Sequence, residues 1–473
     1  MTNQKNLLDK MKNGEPLCLY EQITMIVKLS IPAILAQISS IVMQYIDASM
    51  VGQLGADDSA SIGLVSSSTW MFGGLCMALS TGFTVQIAQK IGAKREQEAR
   101  STVKTGLVCA VVFGLFLLVV GAMISQPLPY WLGGDAFICP KASIYFLVYA
   151  LAIPIMLLNS IASGMLQCSG NMKLPGMLHI VMCILDVIFN AILIFPSRTV
   201  DIFGLRFPMW GAGLGITGAA LGTALAELVI AVLMLYFLLV RSESLHLRKE
   251  EHFAFSWSDV RRMFQIGIPV AVEQIVTCGA YIAFTAIVAP LGRIAIAANS
   301  FSITAESFCY MPGYGIGAAA TTIIGQSIGA KRKDLIGRLG WLLTLSGILM
   351  MTLTGALMYL IAPQMIGLLS PDSAIRELGT AILRIEVFAE PMYAASIVAS
   401  GVFRGAGDTV VPSILNFISM WLVRIPLAWF LSTDYGLQGV WFAMCVELCV
   451  RGILFLILLG TRLKKKTAKW ENA

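Results

Sequence analysis

The sequence is poor in charge. Only 13% of its 473 residues are Asp, Glu, Lys or Arg, against 57% hydrophobic, too few polar side chains to cover a soluble core of this size. Histidine is scarcer still, with only His179, His246 and His252 in the chain. There is no HExxH, no GxSxG and no Walker-type phosphate loop, so neither metal hydrolysis nor nucleotide use has a visible apparatus. No catalytic residue, metal site or cofactor is expected. The N-terminal "MTNQKNLLDKMKNGEPLCLYEQ" mixes both charge signs and lacks a short apolar core followed by a cleavage site, so it does not read as a signal peptide. Ten cysteines are scattered, mostly in apolar runs, and the closest pair, Cys445 and Cys449, has no metal-site spacing; they read as helix-packing residues.

What the chain has is apolar length. Stretches of about 20 residues, each able to cross a hydrocarbon core roughly 30 Å thick, recur from end to end. Charged and Gly/Pro-rich joints divide them into an all-α membrane protein of twelve spans, near 23–50, 60–89, 102–126, 142–168, 174–196, 211–240, 264–290, 294–326, 338–362, 378–403, 410–432 and 436–460. Alternate joints are basic: Lys90, Lys94, Arg95, Arg100 and Lys104, then Arg241, Arg248, Lys249, Arg261 and Arg262, then Lys331, Arg332, Lys333 and Arg338, and finally a tail with Lys464, Lys465 and Lys466. The positive-inside rule puts these joints and both termini in the cytoplasm. The net charge of +6 is thereby a topology signal, and no nucleic-acid partner is expected.

The pentapeptide "IGAKR" occurs at 91–95 and again at 328–332. Adding the same 237 residues takes Pro32 to Pro269, Gln37 to Gln274, Gln89 to Gln326, Pro154 to Pro391, Gly170 to Gly407 and Pro175 to Pro412. Later the offset falls to 221, pairing Gly215 with Gly436 and Gly218 with Gly439, so the first half carries an insertion of 16 residues, best placed in "SRTVDIFGLRFPMWGA". Each half has an even number of spans, which makes the repeats parallel, as in many secondary transporters whose substrate and ion sites lie at the repeat interface. The expected organisation is a cytoplasmic segment 1–22, an N-lobe 23–240, a linker 241–263, a C-lobe 264–460 around a central cleft, and a basic tail 461–473.

Repeated positions are mostly Gly, Pro, Ser and Gln, which serve close helix approach and kinks. Acids inside the spans are not repeated: Asp47 maps to Phe284, Asp186 to Val423, Glu273 to Ala36, Glu306 to Thr69 and Glu390 to Ile153. A charged side chain at a span centre costs about 2.5–3.5 kcal/mol on insertion scales, so each is a functional candidate. In span 1, Gln37, Ser40, Gln44 and Asp47 form one helical stripe; in span 5, His179, Cys183, Asp186 and Asn190 form another, and Asn159 and Ser163 of span 4 can join them. The C-lobe candidates are Glu273 with Tyr281 on span 7, Glu306 on span 8, and Glu386, Glu390 and Tyr393 on span 10. Competing structural readings make Asp47 an interfacial residue, Asp186 a plain interhelical hydrogen bonder, and Glu390 a partner of Arg384 or Arg424. Glu227 and Glu447, at nearly matching places, read as structural, and His179 as a core hydrogen bonder. Burial penalises a charged carboxylate, and a neighbouring Asp or Asn tunes whether it holds a proton or a small cation, which lets cargo and coupling ion compete for one site.

At "PAILAQISSIVMQYIDASMVGQLGADDSASIGL", the two "IGAKR" loops, "ASGVFRGAGDTVVPSILN" and "LGITGAALGT", the chain resembles the MATE (multidrug and toxic compound extrusion) transporters across all twelve spans. The resemblance implies two six-helix lobes around a cleft and export of organic, often cationic, compounds driven by protons or sodium. Asp47 matches the first-span aspartate by which the DinF-like branch couples transport, and Pro32 the proline whose kink accompanies it, so the chain resembles that branch more than the NorM-like one. The span-5 motif of that branch reads Asn then Asp four residues later; here Asp186 precedes Asn190. The NorM-like branch places acids in spans 7 and 10, where Glu273 and Glu390 lie. The expected protein is a monomeric multi-pass antiporter of the cell membrane, with a small organic substrate, a proton or sodium as coupling ion and the lipid bilayer as partners. The alternatives are a flippase for a lipid-linked or amphipathic substrate and, further off, a membrane-embedded enzyme or a channel.

Overall fold

The computed structural model describes the chain except residues 1, 203–204, 248–254, 371 and 472–473, and leaves the side chains of 1–6, 56, 198–209 and 463–471 undescribed as well. The cations Arg248 and Lys249 of the linker, and the side chains of the tail lysines, therefore lie outside the described residues.

The order is α1 (Thr2–Lys12), α2 (Leu19–Gly52), α3 (Ala56–Gly92), α4 (Glu96–Ile124), a short α5 (Pro127–Trp131), α6 (Cys139–Cys168), α7 (Lys173–Leu193), strands β1 (Pro196–Ile202) and β2 (Leu205–Ala212), then α8 (Ile216–Tyr236). The second half runs α9 (Trp257–Val288), α10 (Arg293–Gly329), α11 (Lys333–Leu369), α12 (Ser373–Glu386), α13 (Glu390–Gly405), α14 (Val410–Ile418) and α15 (Ile425–Glu471). Among the described residues nine helices are long and apolar enough to cross a membrane. The twelve spans are completed by the second span of the rod Val410–Arg462, by α10 with its Asn299, Glu306 and Gln326, and by α12 and α13, which share one span. All ten cysteines are free.

Three features depart from the expected spans. Span 10 is broken between Glu386 and Glu390, because Pro391 enters the second piece in its first turn and has no N–H to continue the ladder. Spans 11 and 12 are joined into one rod, with Gly436 between them at φ 55° and ψ −136°. Its repeat partner Gly215, at φ 58° and ψ −132°, makes the same left-handed corner, which a residue with a Cβ rarely adopts. The inserted segment is an antiparallel β hairpin, with Val200 opposite Phe207, so residues 211–212 belong to β2 and not to span 6.

α2 belongs to the first half but packs along α10 of the second. A Cβ on Gly315 would overlap the backbone of Ile34, and the Tyr45 and Phe308 rings lie 5.3 Å apart. α3 packs on α9 in the same way, with Gly82 against Met263 and Gly267 against the Ala78 carbonyl. The lobes close where the "IGAKR" loops lie. A Cβ on Gly92 would collide with the Gln326 carbonyl, and one on Gly329 with the Gln89 carbonyl. These glycines thus permit the crossing of α3 and α10; the left-handed turn itself is made by Lys94 (φ 59°) and Lys331 (φ 57°).

The same face carries an ion pair between lobes. Lys90 Nζ lies 2.7 and 2.9 Å from the carboxylate oxygens of Asp259, which also accepts from Thr102 Oγ1 at 2.7 Å. Under the repeat, Lys90 and Asp259 correspond to Ser327 and Gln22, an uncharged pair. Here α1 fills in: Met11 is fully buried, with its sulfur 3.1 Å from Ser327 Oγ, and Arg332 Nη1 donates to the Glu15 carbonyl at 2.7 Å.

Candidate functional site

Three of the N-lobe candidates meet. Asp47 comes from α2, and Asp186 and Asn190 from successive turns of α7. Asn190 Nδ2 donates to Asp47 Oδ1 at 2.8 Å and to Asp186 Oδ2 at 3.0 Å, so one amide spans two carboxylates. Asp186 and Asn190 are fully buried, and among the described residues Asp186 Oδ1 and Asn190 Oδ1 have no hydrogen-bond partner. α8 makes the room: a Cβ on Gly222 would overlap Asn190 Oδ1. Pro32 lies inside an unbroken α2, where its carbonyl faces Gly176 of α7. Gln44, on the Asp47 stripe, is exposed and stands apart from the bridge.

Two negative charges held by one neutral amide repel, and a proton or a small monovalent cation relieves that repulsion. The arrangement can therefore load and release one positive charge. A cavity of about 460 Å³ lies between the lobes, with Gln37, Asn159 and Glu227 on the N-lobe wall and Glu273, Arg404 and Asn416 on the C-lobe wall. Asp47, Asp186 and Asn190 do not themselves line this inter-lobe cavity; α7 reaches it through His179 and the neighbouring α8 through Glu227.

On the first wall, Asn159 Nδ2 donates to Glu227 Oε2 at 2.7 Å, while Ser163 Oγ lies 3.4 Å from His179 Nε2. His179 is thus a hydrogen bonder that also borders the cavity. On the second wall, Glu273 accepts from Asn416 Nδ2 at 2.6 Å, Ser413 Oγ at 2.9 Å and Arg404 Nη2 at 3.4 Å.

Of the remaining C-lobe candidates only Tyr393 reaches this cavity. Glu306 lies behind it, in a small second cavity with Tyr281, Tyr310 and Arg424; Tyr393 borders both cavities. Glu390, at the break of span 10, is fully buried beside neither expected arginine. Arg384 Nε donates to the Tyr359 carbonyl, and Arg424 is bound to Glu447 at 2.7 Å. Among the described residues the oxygens of Glu390 and Glu386 have no hydrogen-bond partner. The C-lobe candidates therefore form separate sites, because the helix break turns Glu386 and Glu390 into the core.

Sequence periodicity missed Glu227, Arg404 and Asn416. Glu227 and Glu447 looked equivalent, but the offset of 221 takes Glu227 to Leu448. That single residue of phase is about 100° of helix rotation. Glu447 faces Arg424, Arg451 and Ser419 and serves structure, while Glu227 faces the cleft. Arg404 could have been found by the repeat itself, since its partner is Gln167.

Known proteins agree with this architecture. A "Probable multidrug resistance protein NorM" of Thermotoga maritima is 26% identical over 453 residues, covering 94% of this chain and 93% of that protein. A crystal structure of MATE in complex with MaL6 superposes with a TM-score of 0.85 at 19% identity, covering 94% of this chain and 96% of that one. The outward-facing conformation of a multidrug resistance MATE family transporter of the MOP superfamily also gives 0.85 at 19%, with the same coverage; at that identity both likenesses show the fold. The MatE family model matches twice, at residues 32–192 and 269–430, and the starts of the two matches are separated by the repeat offset. With most of its length covered by these two matches, the chain belongs to the MatE family of membrane transporters.

Proposed function

We propose that the protein is a secondary antiporter that exports organic, drug-like compounds from the cytoplasm by alternating access, driven by a proton or sodium gradient. The observation that carries this reading is the Asn190 amide bridging Asp47 and Asp186, on a helix, α7, that also brings His179 to the inter-lobe cleft. When the coupling ion occupies the bridge, the two carboxylates relax towards each other. When it leaves, their repulsion favours a rearrangement of α2 against α7. Cargo affinity follows because α2 also packs on α10, so a movement at Asp47 is felt by both lobes.

The N-lobe location of the bridge supports use of the site in the manner of the DinF-like branch, although the Thermotoga maritima relative carries the NorM name. With both termini cytoplasmic, the face closed by Lys90, Asp259 and α1 is the cytoplasmic gate, and the conformation is outward-facing. The protein acts as a monomer in the cell membrane, each lobe supplying one cleft wall. A lipid-linked diphosphate would need a strongly cationic cleft, whereas Arg404 and Arg451 lie beside Glu273 and Glu447; this favours a small organic cargo over a flippase substrate.

Asp47→Asn tests the reading in vesicles. Loss of gradient-driven efflux of a fluorescent organic cation, with normal insertion, is expected. Undiminished transport by the mutant would sink the assignment of the coupling site.

A further inference from the structure

We propose that the cleft selects cargo carrying a carboxylate as well as a cationic group, and that Arg404 is the specificity-determining residue that reads the carboxylate. The proposal rests on the efflux reading above and names its substrate class.

The two walls share one frame. Ser163 corresponds to Ser400 and Gly164 to Gly401, and all four border the cavity. The charges on that frame differ. On the N-lobe wall the acid is Glu227, which accepts from the neutral amide of Asn159; among the described residues no Lys or Arg pairs with it. On the C-lobe wall the place of Gln167 is taken by Arg404, and that of His179 by Asn416.

Arg404 is only weakly engaged. Its contact to Glu273 runs through Nη2 alone at 3.4 Å, and Glu273 already accepts shorter bonds from Asn416 and Ser413. Among the described residues Nε of Arg404 has no hydrogen-bond partner. A guanidinium has five N–H donors in a planar fork suited to a carboxylate, so most of this one's capacity is unused. Arg451 also borders the cavity, but Glu447 holds it at 2.5 Å. Arg404 is thus the less firmly held of the two arginines, across the cavity from Glu227.

In a partly desolvated cleft such charges act more strongly than in water. A molecule with an ammonium end towards Glu227 and a carboxylate end towards Arg404 complements both walls. A plain cation satisfies Glu227 but leaves the open donors of Arg404 unmet.

The test uses a matched pair of dyes: rhodamine 110, which has a free carboxylate, and rhodamine 123, its methyl ester and a plain cation. Full-length protein in proteoliposomes is given a gradient, and transport of each dye is followed by fluorescence. The wild-type protein is expected to prefer the acid. Arg404→Gln should lower transport of the acid about tenfold, the loss of roughly one charge-assisted hydrogen bond, while leaving the ester unchanged or faster. Glutamine is the residue the repeat carries at 167, so the frame accommodates it. Arg404→Lys, which keeps the charge, should keep the preference.

The double variant Arg404→Gln with Glu273→Gln separates the arginine from the acid it touches. Continued loss of the acid dye assigns the effect to Arg404; recovery assigns it to an unpaired Glu273 and overturns the proposal. An equal fall for both dyes in Arg404→Gln, or a wild-type protein that carries only the ester, would also overturn it. Transport of neither dye by the wild type would overturn the efflux reading and this proposal with it.

Discussion

The side-chain amide of Asn190 donates to Asp47 Oδ1 over 2.8 Å, tying α7 to α2. The same amide group reaches Asp186 on its own helix, so the separation of two carboxylates is set by one neutral residue. α2 also packs along α10, so the helix that carries Asp47 touches both lobes.

The bridge needs its amide. Asn190→Ala leaves Asp47 and Asp186 facing each other with no shared donor, a loss of buried hydrogen bonds worth about 1–3 kcal/mol. Coupled efflux should fall by tenfold or more at normal expression. The double exchange Asp186→Asn with Asn190→Asp restores the order that the DinF-like motif shows and keeps one amide among the two acids. It should transport better than Asn190→Ala; an equally inactive double variant would show that residue order, and not the shared amide, matters.

Gly222 provides a test that changes no charge. Its Cβ would fall on Asn190 Oδ1, so Gly222→Ala must push the amide away from Asp47. Overpacking of this kind costs about 1–3 kcal/mol. The expected outcome is a variant that inserts normally, binds cargo and has lost ion-driven transport. Separate measurements of dye binding and gradient-driven uptake distinguish this from general misfolding.

The closed face should depend on Lys90 and Asp259. Asp259→Asn weakens a charge-assisted contact worth about 1.5–3 kcal/mol, enough to shift a two-state equilibrium by about ten- to a hundredfold. Spin labels on the exposed residues Gln97 and Arg261 should report a longer, broader distance in the variant. Reversing the pair, with Lys90→Asp and Asp259→Lys together, should restore the shorter distance.

The other crossing is held by α1. Met11→Ala removes a fully buried side chain, at a cost of about 2–5 kcal/mol, partly from the contacts that keep this face shut. Labels placed across the α2 and α10 ends should then separate while the Lys90–Asp259 side stays closed. No change in distance would show that α1 packs on the gate without holding it.

Much of this molecule was legible in its sequence, for physical reasons. Apolar length fixed the spans, and the "IGAKR" repeat set the register that carries Gly215 onto Gly436 and Lys94 onto Lys331. Helical spacing placed Asp186 and Asn190 on one stripe, and the structure adds Asp47 to them. Periodicity shows which face a residue shares, but not what lies opposite. For that reason spacing leaves Glu390 open between a cleft residue and an arginine partner, whereas it sits at a helix break, and Glu227 reads as structural although one residue of phase turns it to the cleft. The β hairpin, too, was visible only as an insertion, since its length and not its pairing is written in the offset.

The most direct measurement imposes a proton gradient and a sodium gradient separately on proteoliposomes containing the wild-type protein or Asp47→Asn, and follows transport of a fluorescent organic cargo. The account predicts that one of the two gradients alone drives transport in the wild type, and that the variant loses this drive. Transport that needs ATP in the absence of either gradient, or an Asp47→Asn protein driven as well as the wild type, would contradict it.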